Sequence, residues 1–272
     1  MKNYKNTPLV SIIITNYNKV NFLIECLSSC INQTYKNREI IFFDDNSTDN
    51  SLKRVRNFIK KKKYNLKIIS NLKKKKDFAT NNHILAIEKS LNKAKGKYIF
   101  LLDSDDYFDK NKLKEIVQNF ENNKNLKFIL DLPYLKFKNK IIKKRFNFKL
   151  VKNKWPKFPP TSCMSFEKKT LKKVIKKINF KNFPNLAIDF RLAVFYAQIL
   201  KYFFIYKKYL TYYRQVDDGM DSKYTKYRSN KWWIRREEAF KFLNLILKKN
   251  KLPTNRGLDF FLTKLFNKIF IS

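Results

Sequence analysis

Apolar and polar positions follow two alternating spacings through the first half of the chain. Four apolar runs rich in Ile, Val and Phe are typical of strands buried on both faces of a sheet, and they lie at residues 9–17, 39–47, 66–70 and 97–106. Apolar positions with helical spacing lie between and after them, at residues 22–31, 51–63, 79–93 and 110–122. Strands that alternate with helices predict an open, mostly parallel, twisted α/β sheet with flanking helices.

The pattern is less regular in the second half of the chain. Residues 127–132 favour a strand, and residues 137–151 alternate apolar and basic side chains as a hairpin does. Helices are predicted at residues 168–177, 188–201, 231–249 and 258–271. The last two are rich in aromatic residues and indicate a helical C-terminal region.

The amino-acid composition limits the kinds of binding and catalytic site that the chain can form. Of 272 residues, 44% are hydrophobic and 16% aromatic, which excludes a disordered chain. Three glycines are too few for a G-x-G-x-x-G dinucleotide loop or a Walker phosphate loop. The single histidine, His83, excludes Ser-His-Asp and Cys-His catalysis unless it is itself the base, and it excludes a His-rich zinc site. Carboxylates remain as the candidate catalytic groups.

The net charge is +39, from 61 Lys and Arg against 22 Asp and Glu, and such an excess favours polyanionic partners. Because the lysines are spread over every segment, we favour a compositional drift over a dedicated polyanion site, and no nucleic-acid partner is expected. Three cysteines are too few for a disulfide framework. With no leader cleavage site and no uncharged window of eighteen residues, a cytoplasmic location is expected.

Polar residues follow three of the predicted strands at the point where each strand ends. They are Thr15, Asn16, Tyr17 and Asn18 after the first strand, Asp44, Asp45, Asn46 and Ser47 after the second, and Asp103, Ser104, Asp105 and Asp106 after the fourth. Ligands of open α/β sheets bind at the carboxyl ends of the strands. These residues are therefore the first candidates for a binding site.

The pair Asp103 and Asp105 carries the strongest chemical signal. In an extended chain, side chains two residues apart point to the same side, so the two carboxylates would converge. A divalent cation relieves their repulsion, and oxygen ligands suit Mg²⁺ or Mn²⁺ together with a diphosphate. Helix capping is an equally good explanation of the motif alone, because Asp105, Asp106 or Asp109 could cap a helix that begins near Lys110.

Three segments, in this order, resemble glycosyltransferase family 2, whose members have the GT-A fold: VSIIITNYN, IIFFDDNSTDNS and KGKYIFLLDSDDYF. The resemblance implies a nucleotide-sugar site whose residues are Thr15, Asn16, Tyr17, Asp44, Asp45, Asp103 and Ser104. It also implies a metal, Mg²⁺ or Mn²⁺, on Asp105 and Asp103. For Asp44 and Asp45, turn formation before the following helix is the alternative.

The resemblance is weaker in the second half. NLAIDFRLAVFYA is similar to the segment that bears the catalytic base, which implies that role for Asp189. The alternatives for Asp189 are a salt bridge with Arg191 or a helix cap. YLTYYRQVDDGMDS resembles a segment in which a histidine follows Tyr213 and Arg214; here Asp217, Asp218 or nothing replaces it, and His83 is interpreted as a helix-surface or packing residue.

The sequence departs from the family between the third and fourth predicted strands. Lys73 to Lys76 stand there in place of a segment that contains Gly and Arg in the family.

The resemblance implies a GT-A domain over residues 1–215, with a nucleotide-sugar-binding half at 1–125 and an acceptor-side half at 126–215. Residues 216–272 are expected to form a helical extension.

The implied function is transfer of a sugar from a nucleoside diphosphate donor to a saccharide or lipid-linked saccharide acceptor. A UDP-sugar is the favoured donor. Metal dependence, inversion and a role in surface polysaccharide or lipopolysaccharide synthesis are expected. The C-terminal helices would contact an anionic membrane at its inner face or pack on the domain. The alternatives are a non-catalytic binder of nucleic acid or membranes and a nucleotidyltransferase.

Overall fold

A computed structural model describes residues 7–71, 78–145, 158–178, 182–216, 229–254 and 256–271. The strands are β1 (Val10–Asn16), β2 (Arg38–Asp44), β3 (Lys67–Ser70), β4 (Tyr98–Asp103), β5 (Tyr107–Phe108), β6 (Phe128–Lys136), β7 (Ile141–Lys143), β8 (Met164–Glu167) and β9 (Phe204–Arg214). The helices are α1 (Leu23–Ile31), α2 (Ser51–Lys61), α3 (Ala79–Lys93), α4 (Lys112–Asn122), α5 (Lys168–Ile178), α6 (Ile188–Gln198), α7 (Asn230–Lys249) and α8 (Leu258–Ile271).

The strands of the described residues form one sheet in the order β3-β2-β1-β4-β8-β6-β9-β5, with β7 on β6. The four predicted strands β3, β2, β1 and β4 lie side by side and are all parallel. Antiparallel pairs enter where β8 joins β4 and β6, whereas β6 and β9 are again parallel. The predicted α/β sheet with flanking helices is confirmed.

Burial on both faces explains why the first strands are continuous apolar runs. Ile12 and Ile14 of β1 belong to the core under α1, α2 and α4, while Ile13 between them belongs to the core under α3, α5 and α6. Adjacent side chains of a strand point to opposite faces, so each face needs its own apolar residues. The sheet is therefore a rigid support whose carboxyl edge carries the polar residues.

The pattern did not predict three of the strands, β5 in the first half of the chain and β8 and β9 in the second. β5 and β8 span only two and four residues, and β9 mixes Lys and Tyr with few aliphatic residues. Each is defined by its partners, because β9 pairs along β6 from Ile129 to Lys136. Within the range of the predicted hairpin, 137–151, the structure has the strand β7, which pairs with β6 before that range, and residues 146–151 lie outside the described residues.

The C-terminal helices α7 and α8 agree with prediction. α7 packs on the sheet domain, since Phe242 lies against Phe183 and Phe190 with ring centroids 5.6 and 6.3 Å away. α8 packs in turn on α7. Across the described ranges, no helix has both the length and the apolar character needed to span a bilayer. The domain boundaries at residues 125 and 215 stay predictions.

Candidate active site

The centre of the candidate site is a hydrogen-bonded triangle at the carboxyl edge of the sheet. Thr15, near the end of β1, pairs in register with Asp103, the last residue of β4. The Thr15 hydroxyl donates to Asp103 Oδ1 over 3.0 Å. His83 reaches the same place from α3, with Nε2 3.1 Å from both Thr15 Oγ1 and Asp103 Oδ1. Two adjacent strands and one helix thus position the first carboxylate.

The interpretation of His83 as a helix-surface or packing residue is wrong. Its side chain is buried against Asp103, and burial opposes its positive charge. The carboxylates of Asp103, Asp189 and Asp105 outweigh that effect and raise the pKa of the imidazole. Because three acids act on this one ring, His83 marks the point where the site's negative charge converges.

Asp105 lies next to this triangle, but it is placed there by a turn and not by the predicted strand alternation. β4 ends at Asp103, and Ser104 and Asp105 form a turn, so strand alternation does not orient the second carboxylate. Burial and then the charge of Asp103 raise the pKa of Asp105. Lys19 opposes this, with Nζ 3.5 Å from Asp105 Oδ2. The turn brings together two carboxylates whose charges repel each other.

The helix-cap alternative fails for Asp105 and Asp106. The short strand β5 separates both residues from α4, which begins at Lys112. Asp109 is the acid next to the helix, and its carboxylate accepts from the backbone N–H of Asn111 over 2.8 Å.

Asp106 is fully buried and stabilises the turn from the protein interior. Its two carboxylate oxygens accept from Ser162 Oγ over 2.6 Å and from the backbone N–H of Arg214 over 2.8 Å. Burial and the neighbouring Asp105 raise the pKa of Asp106. Arg214 also donates from Nε to the Asp105 carbonyl over 2.6 Å and pairs with Glu25 over 2.7 Å. Through Arg214, β9 therefore holds the C-terminal side of the turn.

A buried ion pair lies behind Asp106. Lys112 Nζ is 2.7 Å from Asp131 Oδ1 and also donates to the Ser162 carbonyl and to Thr211 Oγ1, over 2.7 and 2.6 Å. Thr211 in turn donates to the other Asp131 oxygen over 2.6 Å. Neither charged side chain is exposed. This pair joins α4, β6, β9 and the 3₁₀ turn at Thr161–Cys163 into one support.

The acids at the end of β2 differ from each other. Asp44 is fully buried and accepts from Asn16 Nδ2 over 2.8 Å and from the backbone N–H of Ser47 over 3.0 Å, as a turn-forming aspartate does. Asp45 accepts from Asn71 Nδ2 over 3.0 Å. Asp44 and Asn16 therefore connect the loops after β1 and β2, and a contact of either with a nucleotide stays a prediction.

Two further predicted binding residues lie at the same edge. Tyr17 is exposed beyond the end of β1. Ser104 is buried, its backbone N–H donates to the Thr15 carbonyl over 3.0 Å, and its hydroxyl meets no hydrogen-bond partner within the ranges that the structure describes.

Asp189 lies in the first turn of α6, and its carboxylate accepts from the backbone N–H of Phe190. The segment before this helix is joined to α3, where Thr80 Oγ1 donates to the Pro184 carbonyl over 2.5 Å. Arg191, its suggested salt-bridge partner, donates to the carbonyls of Leu186, Ile178 and Phe183. Asp189 is close enough to the triangle to act on the charge of His83.

Two sets of predicted residues cannot be placed. The lysines at 73–76 with Asp77, and the acids Asp217 and Asp218 considered for the missing histidine, lie outside the described residues.

The side chains at the edge suit a hard divalent cation. Asp103 and Asp105 provide carboxylate oxygens with 25% and 17% of their side-chain surface exposed, and their mutual repulsion favours a cation. A cluster of three or more His, Cys, Asp or Glu arranged around a metal does not occur in the described part of the chain. Two carboxylates that leave the other positions to water and phosphate oxygens match the way Mg²⁺ is bound.

A model of glycosyl transferase family 2 matches residues 11–191, which is more than half of the chain and includes the triangle, the turn and Asp189. The chain belongs to glycosyl transferase family 2. An uncharacterized glycosyltransferase of Haemophilus influenzae is 39% identical over 112 residues, which are 40% of this chain and 41% of that one. The Escherichia coli enzyme named UDP-Glc:alpha-D-GlcNAc-diphosphoundecaprenol beta-1,3-glucosyltransferase WfaP is 35% identical over 121 residues, 43% of each chain.

The chain thus spans less than half of the length of these two relatives. Solved structures extend the likeness of the fold to nearly the whole chain. Staphylococcus aureus TarS with UDP-GlcNAc has a TM-score of 0.63 at 20% identity, over 96% of this chain and 71% of that one. The mannosyltransferase PcManGT of Pyrobaculum calidifontis, with GDP-Man and Mn²⁺, has a TM-score of 0.61 at 15% identity, over 97% and 70%. The GT-A type of fold is confirmed.

Sequence reasoning missed three contributors to this family 2 site: His83, Lys19 and Lys112. A lone histidine four residues into a helix and two lysines among 61 basic residues offered no distinguishing signal. His83 lies three and four residues before the apolar, buried Ala86 and Ile87, and this helical spacing was the hint that it faces the sheet.

Proposed function

We propose that this family 2 protein transfers a sugar from a nucleoside diphosphate sugar to an acceptor hydroxyl, with a UDP-sugar as the favoured donor. The observation that carries the proposal is the convergence of Thr15, His83, Asp103 and Asp105, with Asp189 nearby, at one carboxyl edge of the sheet. Lys19 and His83 offset the charge of these acids only in part, since the pKa of Asp105 is still raised, and such a cluster is a place where a metal and a diphosphate are stabilised together.

The nucleoside would lie at the ends of β1 and β2. Thr15, Tyr17 and Asp45 offer a hydroxyl, an exposed ring and a carboxylate there, and an aspartate can accept from a nucleobase or ribose donor. Asn16, Asp44 and Ser104 shape this end of the site from within. The diphosphate would lie toward Asp103 and Asp105, which would hold the Mg²⁺ or Mn²⁺.

When bound, that cation supplies stabilisation of the negative charge on the departing diphosphate. Asp189 accepts the proton of the acceptor hydroxyl as its oxygen forms a bond to the anomeric carbon. The bond from that carbon to the diphosphate breaks on the opposite face, and the nucleoside diphosphate leaves with the bonding electrons. Attack opposite the leaving group inverts the anomeric centre.

The acceptor would be a saccharide or a lipid-linked saccharide, with a role in cell-surface polysaccharide or lipopolysaccharide synthesis. Support comes from the Escherichia coli relative, whose name specifies a diphosphoundecaprenol-linked acceptor. A chondroitin synthase of Pasteurella multocida is also similar, at 34% identity over 121 residues, 44% of this chain and 12% of that one. Work at the cytoplasmic side of an anionic membrane follows from such an acceptor.

Calorimetric titration tests the donor site. UDP, GDP, CDP and dTDP are each titrated with and without Mn²⁺ into the wild type and into Asp105→Asn. We expect one nucleotide to bind only with Mn²⁺ and the Asn variant to lose that binding while it keeps the wild-type circular dichroism spectrum.

Asp189→Ala is the matched control for this titration. It should keep nucleotide binding and lose transfer, because the base acts on the acceptor. Absence of nucleotide binding under every condition would contradict the proposal and favour a non-catalytic basic surface. Transfer of a nucleotidyl group instead of a sugar would favour the nucleotidyltransferase.

A further inference from the structure

Helix α8 has two faces with opposite surroundings. Its inner face packs on α7, where Phe266 stacks on Trp233 with centroids 4.8 Å apart and Phe260 meets Phe240 at 5.5 Å. Thr263 on the same face accepts from Arg236 over 3.2 Å. These contacts fix the rotation of α8, and with it the side chains that point away from the protein.

The opposite face is apolar and exposed. Five side chains form it, with 74%, 55%, 40%, 53% and 58% of their surface exposed: Leu258, Phe261, Leu262, Leu265 and Ile269. Their spacing of three, four, seven and eleven residues from the first places them on one stripe, which we call the outer stripe. Single exposed apolar residues are ordinary, but a contiguous apolar patch marks an interaction surface.

The surroundings of the outer stripe are basic. Lys264 and Lys268 are exposed along one side of it, and Lys248, Lys249 and Arg256 are exposed at the junction of α7 and α8. Residues 229–272 contain ten Lys and Arg against three acids. Each of those acids already has a partner in the protein: Asp259 pairs with Arg236, Glu237 with Lys241, and Glu238 with Asn185.

This combination selects the occupant. A helix with an exposed apolar stripe and lysines at its edge, whose other face packs on the protein, is suited to lie in the interface of an anionic bilayer. A second copy of the chain would bring the same lysines against each other, so charge disfavours a dimer through this face.

We propose that the outer stripe of α8 docks on an anionic membrane surface, with its apolar side chains at the acyl boundary and Lys264 and Lys268 at the level of the lipid phosphates. This deepens the proposed function, on which it rests for its purpose, because docking brings the transfer site to a lipid-linked acceptor. The surface itself is defined by α7 and α8 and does not depend on the donor site.

Vesicle sedimentation of the 272-residue chain tests the proposal. Phosphatidylcholine vesicles are compared with vesicles that contain 30% phosphatidylglycerol, at about 100 mM salt where surface charges are partly screened. We expect binding about tenfold or more tighter to the anionic vesicles. Phe261→Ser with Leu265→Ser, and separately Lys264→Glu with Lys268→Glu, should each weaken it about tenfold or more.

Matched controls separate the surface from general charge. Lys53→Glu with Lys60→Glu on α2 makes the same change in net charge at exposed positions, and Ile142→Ser removes an exposed apolar side chain from β7. Both should stay within about twofold of the wild type. An equal loss with the α2 variant, or none with the stripe variant, would overturn the proposal.

Sedimentation equilibrium without lipid examines the competing occupant. A dimer that Phe261→Ser with Leu265→Ser dissociates would overturn membrane docking in favour of a second copy. Nucleotide titration without vesicles reports on the donor site alone, so failure of docking and failure of the proposed transfer are distinguishable.

Discussion

The carboxylates at the mouth of the site and those at its floor are the same residue type in different surroundings. At the mouth, Asp103 and Asp105 are partly exposed and face each other, Lys19 and a histidine. At the floor, Asp106 and Asp131 are fully buried, and both oxygens of each contact a hydroxyl, a backbone N–H or the ammonium of Lys112.

The difference separates support from chemistry. A buried acid that is fully paired holds the backbone around it and has no coordination capacity left. An acid that is exposed beside another acid remains available to a cation, at some cost to the stability of the empty protein. We therefore expect substitutions at the floor to reduce stability and substitutions at the mouth to reduce ligand binding.

The largest effect is expected from Lys112→Met. It leaves Asp131 buried without its cation, which should lower the free energy of unfolding by about 3–5 kcal/mol. Urea denaturation followed by circular dichroism measures the loss. Adding Asp131→Leu should restore roughly half of it, because the isolated charge is removed. If the double variant were less stable than the single one, the ion pair would not be the support of the floor.

Asp105→Asn should show the reverse behaviour at the mouth. Transfer should fall about 10²–10³-fold, and the rise in melting temperature caused by Mn²⁺ with nucleotide should vanish. Because the folded protein raises the pKa of Asp105, its ionised form opposes folding, and this penalty is present above that pKa. The metal-free variant should therefore melt at or slightly above the wild-type temperature at pH 7. A lower melting temperature would assign Asp105 to the floor.

Asp44 and Asp45 at the end of β2 are both buried, with 0% and 6% of their surface exposed, and differ in their hydrogen-bond partners. Asp44→Ala removes the acceptor of Asn16 and Ser47 and should cost about 1–3 kcal/mol of stability. Asp45→Ala should cost less than this and weaken nucleotide binding more. Thermal melts and calorimetric titration of the two variants, run side by side, measure both quantities. Equal effects on stability and binding would remove the distinction.

The smallest and most direct readout is the titration of His83. It is the single histidine of the chain, so an untagged protein gives one imidazole signal in NMR. Its midpoint should lie above 6.5 without metal, and Asp103→Asn or added Mg²⁺ should lower it. A raised pKa stabilises the fold below the unfolded value, and the contribution is lost as pH rises through the folded one. A midpoint below 6.5 would mean that burial outweighs the three acids.

Much of the first half could be predicted from sequence because its signals are local. Strands buried on both faces require uninterrupted apolar residues, and at the ends of β1, β2 and β4 these runs change directly to polar residues. β5, β8 and β9 escaped prediction because their stability comes from pairing with strands far away in the chain. β5 and β8 are too short to show a period of their own, and β9 has too few aliphatic residues to show a strand pattern.

The acids show the same division. Residue type and spacing located Asp103, Asp105 and Asp106 as candidates, with a helix cap as the alternative, and the family resemblance pointed to Asp189. Only the tertiary structure revealed that Asp106 meets Ser162 and Arg214, residues 56 and 108 positions away, and that His83 reaches Asp103. The availability of a carboxylate depends on its burial and on the charges near it, and long-range packing decides both.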